Sequence, residues 1–532
     1  MGKTFSFHPD LHIASLEKKT CWHNLKVHCL LQDPSQKQPS INAYLGARYS
    51  RSADSVLDIA REIMQKGTDA AKRLESIFQN YGHKSVGDMA DVFVCIENVP
   101  MITAMKLFYR NPVLAGQERS TRYQNFEKPA FIKLPHSVSV ELKQGYETII
   151  QKQLQDYREL MPITETALRK LFKISSKNKQ ESSASQARTF DTVRYLLPMG
   201  LQTSLGFVMS ARNWAELIAL LHGSDMSIDR ELAKLLYELL VGTDESKKTG
   251  YIPEADGLIR HTDANYHQKN STEAALKILQ KKLAALSARK LKATANQTVI
   301  VKDADSALNN FARHLAMLNN PLVTQKAPRL TEAQLKKLGQ LIFADHNHHC
   351  QIGPVGQSGA IVIEGMADFG ILKDLNRHRS LERFVPIWHD QVNLTAELNR
   401  PNENCFFLCP YLEHRQLAEL RADFSARLSD TYSLIKKWRQ AAKKELSPEL
   451  TTEYTKYLLP HAHATSYRFY GSIDDLQYLI HLRTRPGGHI AYRSVTYTWL
   501  KKLAGLSPFW QAMLEKIPTV NAFSREQFVD RS

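Results

Sequence analysis

Several short stretches of this sequence concentrate side chains that can bind an anionic ligand. Residues 82–85 read Gly-His-Lys-Ser, and residues 117–123 read Gln-Glu-Arg-Ser-Thr-Arg-Tyr. In the second half, residues 377–379 read Arg-His-Arg and residues 481–483 read His-Leu-Arg. Guanidinium groups and hydroxyls bind phosphate oxygens through charge-assisted hydrogen bonds. These stretches therefore predict a site for a phosphorylated ligand such as a nucleotide.

The two halves of the chain share motifs in the same order. Tyr-Leu-Leu-Pro occurs at 195–198 and again at 457–460, and a Thr-Ser pair follows each copy at the same spacing. An Ile-Glu pair leading to Arg110 likewise recurs as an Ile-Glu pair leading to Arg377. Two such coincidences in the same order are hard to obtain by chance. We therefore interpret the chain as a tandem duplication.

Apolar runs indicate the elements that must position these motifs. Residues 92–96 and 360–363 are compact and rich in β-branched side chains, so they predict buried strands. A helical pattern opens at Met101 and runs towards Arg110. Strands mixed with long helices, without regular βαβ alternation, favour the α+β class.

The repeat sets the expected domain organisation. We expect a first copy at 40–260 and a second at 301–532, preceded by an N-terminal extension at 1–39 and joined by a helical linker at 261–300. A Ser/Lys/Gln-rich piece at 175–185 has little to bury and predicts an exposed loop within the first copy.

The bulk composition limits the function classes. A length of 532 residues argues for two or more compact units. No apolar run is long enough to span a bilayer, no secretory signal is visible, and six cysteines are few for this length, so we expect a cytoplasmic protein. The net charge of +16 attracts polyanions.

The motifs resemble those of flavin-dependent thymidylate synthases. That family reads Gly-His-x-Ser/Thr, then a strand and a helix, then Arg-His-Arg-x-x-Ser-x-Asn-Glu-x-Ser-x-Arg-Tyr. In the first copy Asn111 and Pro112 stand where the histidine and second arginine of this motif should be, Ala115 replaces its first serine and Gln117 its asparagine. The matching residues are Arg110, Glu118, Ser120, Arg122 and Tyr123.

The second copy keeps what the first has lost. It retains Arg-His-Arg at 377–379, whereas the loop at 380–384 lacks the Glu-x-Ser-x-Arg-Tyr spacing. Cys350 stands where the first copy has His83. Residues 481–483 resemble the late Leu-Arg pair that contacts the nucleotide base in the family.

The resemblance implies one composite active site, because the family builds each site between neighbouring subunits. The implied flavin-binding residues are His83, Ser85, Arg377, His378, Arg379 and Tyr478. The implied substrate-binding residues are Glu118, Ser120, Thr121, Arg122, Arg377, Lys456 and Arg483, of which Arg483, Glu118 and Ser120 take part in catalysis.

Two further expectations follow from the same resemblance. The family's arginine at the position of Arg194 works with the Arg-His-Arg subunit, so the equivalent Lys456 of the second copy is expected in the intact site. The mirror-image site, formed from Asn111-Pro112 and the shortened second loop, should be inactive. Arg110 and Arg383 are therefore expected to be dispensable.

The implied activity is FAD-dependent methylation of dUMP to dTMP. Methylenetetrahydrofolate donates the carbon, reduced flavin carries the hydride, NADPH is the co-substrate that reduces the flavin, and no metal takes part. Because the family works as a tetramer of single copies, a homodimer of this chain would form a pseudo-tetramer.

Three alternatives stay open. The chain could bind flavin and nucleotide but catalyse a different pyrimidine modification or none. It could be a basic nucleic-acid-binding protein, which only the net charge supports. Zinc could bind the stretch 345–350, which reads Asp-His-Asn-His-His-Cys, or a set of N-terminal residues, although neither has a recognised spacing. That set comprises His8, His12, Cys21, His23, His28 and Cys29.

Overall fold

A computed structural model gives the architecture of most of the chain. It describes residues 2–31, 39–50, 52–65, 84–110, 115–120, 126, 129–135, 137–251, 253, 255, 257–264, 266–287, 299–319, 329–344, 352 and 356–530. The strands are β1 Lys3–His8, β2 Ile13–Lys19, β3 Asn24–Leu30, β4 Asp91–Pro100, β5 Ala115–Glu118, β6 Gln202–Ser210, β7 Val299–Lys302, β8 Ile361–Asp368, β9 Glu382–Phe384 and β10 Ala464–Gly471.

The helices are more extensive than the strands. They are α1 Pro39–Tyr49, α2 Val56–Gln65, α3 Met101–Arg110, α4 Val140–Phe172, α5 Lys179–Val193, α6 Ala211–His222, α7 Ser227–Val241, α8 Asp244–Lys247, α9 His267–Ser287, α10 Ala304–Asn319, α11 Glu332–Phe343, α12 Phe369–Leu375, α13 Leu394–Leu398, α14 Ala418–Ala442, α15 Pro448–Leu458, α16 Ile473–Thr484, α17 Ile490–Leu506, α18 Pro508–Leu514 and α19 Arg525–Val529. No helix in the described ranges is long and apolar enough to cross a membrane.

The chain divides into two compact units that alternate along the sequence. Unit 1 comprises Met1–Glu147, Met199–Arg289 and Trp438–Leu458. Unit 2 comprises Thr148–Pro198, Lys290–Lys437 and Leu459–Ser532. Each unit therefore contains a segment from the other half of the sequence, and the unit boundaries differ from the copy boundaries expected from the repeat.

Unit 1 contains an antiparallel sheet with the strand order β1-β2-β3-β4-β6-β5. Its first three strands come from the segment expected to be a separate extension. Leu25, Val27 and Cys29 alternate along β3 and are fully buried, which is the period-two pattern of a strand with one buried face. Residues 3–30 are thus part of the sheet of unit 1.

Unit 2 contains a smaller antiparallel sheet with the order β7-β8-β10-β9. Helix α17 packs on this sheet through Trp499, whose indole N–H donates to the Tyr467 hydroxyl at 2.8 Å. The same indole lies 5.6 Å from the ring of Phe469. Because both partners belong to β10, the contact fixes the middle of α17 against the sheet.

Both sheets contain the same three-stranded motif. In each half of the sequence a long strand leads into a helix, a short strand, two longer helices and a second long strand, and the second half adds the short helix α13 before its two longer helices. The order in space is β4-β6-β5 or β8-β10-β9. Ser210 is the last residue of β6, and Ser472 follows β10 directly. The side chain of each serine accepts a backbone N–H of the next helix at 3.2 Å. The α+β class with small antiparallel sheets and long helices is confirmed.

Several local predictions are also confirmed. The predicted strands at 92–96 and 360–363 fall within or at the start of β4 and β8, and the helix opening at Met101 is α3. The Lys/Ala-rich connection forms α9 in its described part. Asn98 adopts a φ of 62° at the irregularity of β4, a conformation that asparagine tolerates better than most residues.

The loop predicted at 175–185 is wrong over most of its length. Helix α5 begins at Lys179, because the Asn178 side chain accepts the backbone N–H groups of Gln180 and Glu181. Ser185 is fully buried. The polar composition of this segment reflects a helix N-terminus, where asparagine and serine are favoured, rather than an exposed loop.

Candidate functional site

The Arg-His-Arg motif and the late Leu-Arg pair meet in unit 2. The Nε–H of Arg483, in the last turn of α16, donates to Nε2 of His378 at 2.7 Å. His378 follows α12 and is almost fully buried. Residues separated by 105 positions in the sequence thus form one hydrogen-bonded pair.

The electrostatics of this pair favour a neutral histidine. Burial lowers the pKa of His378 well below its usual value, and the positive charges of Arg483 and Arg383 lower it further. Because Nε2 accepts a hydrogen bond, the neutral ring carries its proton on Nδ1. His378 is therefore a fixed acceptor that orients the Arg483 guanidinium.

An aromatic ring supports the same guanidinium. The Arg483 side chain lies 5.2 Å from the ring centroid of Tyr492, in the first turns of α17. Among the guanidinium nitrogens of Arg483, Nε alone makes a hydrogen bond to the described residues. The two terminal amino groups can therefore bind a ligand oxygen. Tyr478, predicted to contact flavin, lies beside the pair, with its ring centroid 6.1 Å from that of His378.

The two arginines that flank His378 differ in exposure. Arg377 is half-buried and Arg379 is exposed. Both make contacts within the protein. Unit 2 therefore brings together Arg377, His378, Arg379, Tyr478 and Arg483.

Arg194 extends this cluster in unit 2. Its guanidinium donates to the Asp374 carboxylate at 3.3 Å and to Nδ1 of His489 at 3.2 Å. Nε2 of His489 in turn lies 3.9 Å from the Cys409 sulfur, and burial raises the pKa of that thiol to about 12. Neither Asp374 nor His489 belongs to a motif recognised in the sequence. Only the proximity of His489 to the Leu-Arg pair could have indicated a role for His489.

Lys456 and Arg377 belong to different units. Helix α5 belongs to unit 2 and helix α15 to unit 1, so Arg194 lies in the unit of Arg377 and Lys456 in the unit of Glu118. Lys456 is almost fully buried there. Its role in substrate binding stays a prediction.

Arg383 also differs from expectation. It was assigned to an inactive mirror site, yet its guanidinium donates to the backbone carbonyls of Asn376 and, at 3.1 Å, His378. Because these carbonyls belong to the Arg-His-Arg segment, Arg383 helps to hold that segment in place. We no longer expect Arg383→Ala to leave the site unchanged.

Unit 1 contains the described part of the other predicted half-site. Glu118 ends β5 and is almost fully buried, and the next residue continues the pairing through Arg119 N to Ser204 O at 2.8 Å. Ser120 follows and is half-buried. Ser85 lies on the short 3-10 helix Lys84–Met89. His83, Thr121 and Arg122 lie outside the described residues.

Unit 1 contains a buried ion pair in the region that corresponds, by the repeat spacing, to the cluster of unit 2. The Lys106 ammonium, on α3, lies 2.5 Å from the Asp229 carboxylate and 2.9 Å from the Ser224 hydroxyl. By the spacing of the repeats, Lys106 corresponds to Lys373 and Asp229 to Ala491. The second copy therefore has no carboxylate at the position of Asp229.

A second buried carboxylate accompanies this pair. Glu453 of α15 accepts the backbone N–H groups of Ser227 and Ile228 at 2.7 and 3.2 Å, at the start of α7. It also accepts the Tyr457 hydroxyl at 2.7 Å. By the repeat spacing Ser227 corresponds to His489. Helix α7 therefore begins beside the Glu453 carboxylate, whereas α17 begins beside the His489 imidazole that Arg194 contacts.

The buried carboxyl group of Asp368 in unit 2 should make the stability of the protein depend on pH. It is fully buried at the end of β8 and accepts the Tyr195 hydroxyl at 3.2 Å, and burial raises its pKa from 3.8 to about 7. Between these values the folded protein binds more protons than the unfolded chain. The free energy of unfolding should therefore fall as pH rises from about 4 to about 7.

Asp368→Asn should remove this dependence, since asparagine is uncharged at every pH. The stability of the variant relative to the original protein, measured by urea unfolding, is expected to rise across that window and then to stay constant. Asp430→Asn, at an exposed position of α14, is the matched control. A relative stability that does not change with pH would contradict the raised pKa.

The described part of the chain contains no cluster of potential metal ligands. Its His, Cys, Asp and Glu residues form no group of three or more that could hold a metal ion. The stretch 345–350, which carried the zinc alternative, lies outside the described residues.

The fold and the cluster define an α+β protein with a preorganised Arg-His pair. The family model described as "Thymidylate synthase complementing protein" matches residues 30–242, which include β3 to β6. The match covers less than half of the chain, so the similarity to that family is shown for this segment.

Three relatives are similar over most of the chain, and each is named a UPF0159 protein. The protein from Chlamydia pneumoniae is 24% identical over 86% of this chain and 82% of its own length. The one from Chlamydia muridarum is 22% identical over 85% and 81%, respectively. The one from Thermoplasma acidophilum is 21% identical over 89% and 95%.

Proposed function

We propose that this chain is an FAD-dependent thymidylate synthase that methylates dUMP to dTMP. Methylenetetrahydrofolate would donate the carbon and NADPH would reduce the flavin. The observation that carries the proposal is the hydrogen bond between Arg483 and His378, because it joins the two family motifs that the second copy retains. The family match of residues 30–242 supports the same reaction class.

The residues around His378 have the chemistry that a flavin requires. Tyr478 presents a partly exposed ring beside the neutral imidazole, and a planar ring of this kind can stack on another aromatic system. Arg377 and Arg379 supply cations for the phosphates of FAD. When bound, reduced flavin would carry the one-carbon unit and the hydride.

Arg483 is suited to act on the base of the nucleotide. Its terminal amino groups would donate to a uracil carbonyl oxygen and stabilise the negative charge that develops there. His378 and Tyr492 hold the guanidinium on two sides, so little reorganisation is needed during the reaction. This preorganisation is the contribution of unit 2 to catalysis.

The phosphate of the nucleotide would bind the loop that follows β5. Ser120, Thr121 and Arg122 offer hydroxyls and a guanidinium, and Glu118 anchors the start of the loop in the sheet. Lys456 lies in the same unit and adds a cation. His83 and Ser85 would complete the flavin site.

A tandem duplication explains why these groups come from different halves of the sequence. The repeated motifs, the repeated strand order and the paired serine caps support it. Each unit also contains one hydrogen bond of an equivalent pair, Gly200 N to Tyr457 O in unit 1 and Ala462 N to Tyr195 O in unit 2. The copies would thus divide one active site, with the mirror-image site inactive.

We expect the chain to form a homodimer, since two copies per chain would rebuild the family's tetramer from two chains. Light scattering at micromolar concentration should give twice the chain mass of 60.6 kDa. A monomer that nevertheless turns over dUMP would contradict this assembly.

A genetic test separates the proposed function from its alternatives. The gene should allow a bacterial strain without other thymidylate synthase to grow without thymidine, and the purified protein should show flavin absorbance. Growth failure with bound flavin would favour a flavin and nucleotide-binding protein of different activity. Growth failure without flavin, in a folded protein, would overturn the proposal and leave nucleic-acid binding to be tested.

A further inference from the structure

One fully buried guanidinium in unit 2 binds backbone carbonyl groups alone among the residues that the structure describes. Arg188, on α5, is 1% exposed. Its Nε and two terminal amino groups carry five N–H donors, and five carbonyl oxygens lie within reach of them. They are Phe528 O at 3.3 Å, Gly487 O at 3.5 Å, Gly488 O at 2.7 Å, Pro486 O at 2.8 Å and Asp530 O at 2.9 Å.

These carbonyls belong to two segments of unit 2. Three lie in the turn Arg485–Gly488 between α16 and α17, and two lie at the C-terminal helix α19 or just after it. The turn reads Arg-Pro-Gly-Gly, and adjacent glycines leave a backbone many accessible conformations. The rigid planar guanidinium binds three successive carbonyls and so selects one of these backbone conformations.

The turn lies between Arg483 and two residues of the proposed site that support it or the neighbouring Arg194. Arg483 is two residues before it, and His489 and Tyr492 follow it. A Cβ atom at Gly488 would lie 2.1 Å from the Tyr492 hydroxyl, so the ring packs directly against the turn. A displaced turn would therefore move the ring over which the Arg483 guanidinium lies.

The other copy lacks this arrangement. By the repeat spacing Arg188 corresponds to Leu450, and Arg483 corresponds to Leu221. The carbonyl-binding arginine thus lies in the unit that contains Arg483, although it comes from the other half of the sequence. This matches a role connected with Arg483 better than a general role in the fold.

We propose that Arg188 is a positioning residue that fixes the turn 485–488 and, through Tyr492, the orientation of Arg483. Its effect on turnover rests on the proposed function, whereas its effect on the turn does not. Arg188 touches no reacting atom, so its removal should change catalysis by misplacing Arg483.

Two variants and one control test the inference. Arg188→Lys keeps the charge but has at most three donors and no planar fork. Arg188→Ala leaves a space that added guanidinium ion can fill. Arg525→Ala is the control, because its bond to Glu181 at 2.8 Å also joins α19 to α5 without touching the turn.

Two readouts are measured on the full chain: hydrogen exchange on the protein as purified, and kinetics on the flavin-loaded protein. Hydrogen exchange of the peptide covering 484–492 should be faster in both Arg188 variants and unchanged in Arg525→Ala. The kcat/KM for dUMP should fall at least about tenfold in Arg188→Lys, because a guanidinium out of place loses charge stabilisation in the transition state. Guanidinium ion should restore part of the rate of Arg188→Ala.

The outcomes separate this inference from the proposed function. If the original protein binds no flavin and does not methylate dUMP, the function fails, and the exchange experiment still tests Arg188. Arg188→Lys with unchanged exchange at 484–492 would overturn the inference. Equal effects of Arg188→Lys and Arg525→Ala would also overturn it, since Arg188 would then only attach the C-terminal helix.

Discussion

Arg483→Ala is expected to lower kcat for dUMP methylation by about 10²–10³-fold, the usual effect of removing one preorganised donor from a developing oxyanion. The guanidinium is held by the His378 bond at 2.7 Å and lies over the Tyr492 ring. Arg483→Lys should not restore the rate, because an ammonium lacks the fork that binds His378 and a carbonyl oxygen together. Steady-state kinetics with saturating folate and NADPH measure the effect.

Arg468→Ala is the matched control for this prediction. Arg468 also lies in unit 2, but it is partly exposed on β10, and its nearest carboxylate is Glu364 at 3.6 Å. We expect an unchanged kcat, since exposed ion pairs contribute little. An Arg483→Ala enzyme as active as the Arg468→Ala control would exclude Arg483 from catalysis.

Lys106→Met is expected to destabilise the protein by about 3–5 kcal/mol, because it leaves the Asp229 carboxylate buried without its cation. The two side chains are 2% and 0% exposed, so water cannot replace the lost partner. The double variant Lys106→Met with Asp229→Leu should recover most of this loss, since it removes both charges. Urea unfolding followed by circular dichroism measures the change.

The control for this pair is Lys234→Met in the same unit. The Lys234 side chain is 60% exposed and lies 3.7 Å from Glu231, so its loss should change stability by less than about 0.5 kcal/mol. A Lys106→Met variant that is equally stable, or a double variant less stable than the single one, would contradict a dry ion pair in unit 1.

The sequence predicted the local features of the fold better than the long-range ones. The strand at 92–96 and the helix from Met101 follow from apolar periodicity, which acts over a few residues. The Arg483–His378 contact could be expected only from the family resemblance, because no local pattern links residues so far apart. Asn178 shows the limit of composition, since one capping side chain turned an expected loop into a helix.

The exchange of segments between units was not predictable from motifs. Helix α5 belongs to unit 2 and α15 to unit 1, which placed Arg194 rather than Lys456 in the unit of Arg377. Arg188 had no signal at all, because its partners are backbone carbonyls and any sequence supplies those. Arg383 was assigned from motif loss alone, whereas its bonds to backbone carbonyls depend on the course of the chain.

The number of FAD molecules bound per chain tests the division of one active site between two copies most directly. Only the second copy retains Arg-His-Arg, so saturating FAD, quantified by absorbance and protein concentration, should bind at one molecule per chain. Arg377→Ala should lower that ratio towards zero. A ratio of two would show that the mirror-image site also holds flavin and would contradict the division, and a folded protein that binds none would contradict the flavin assignment itself.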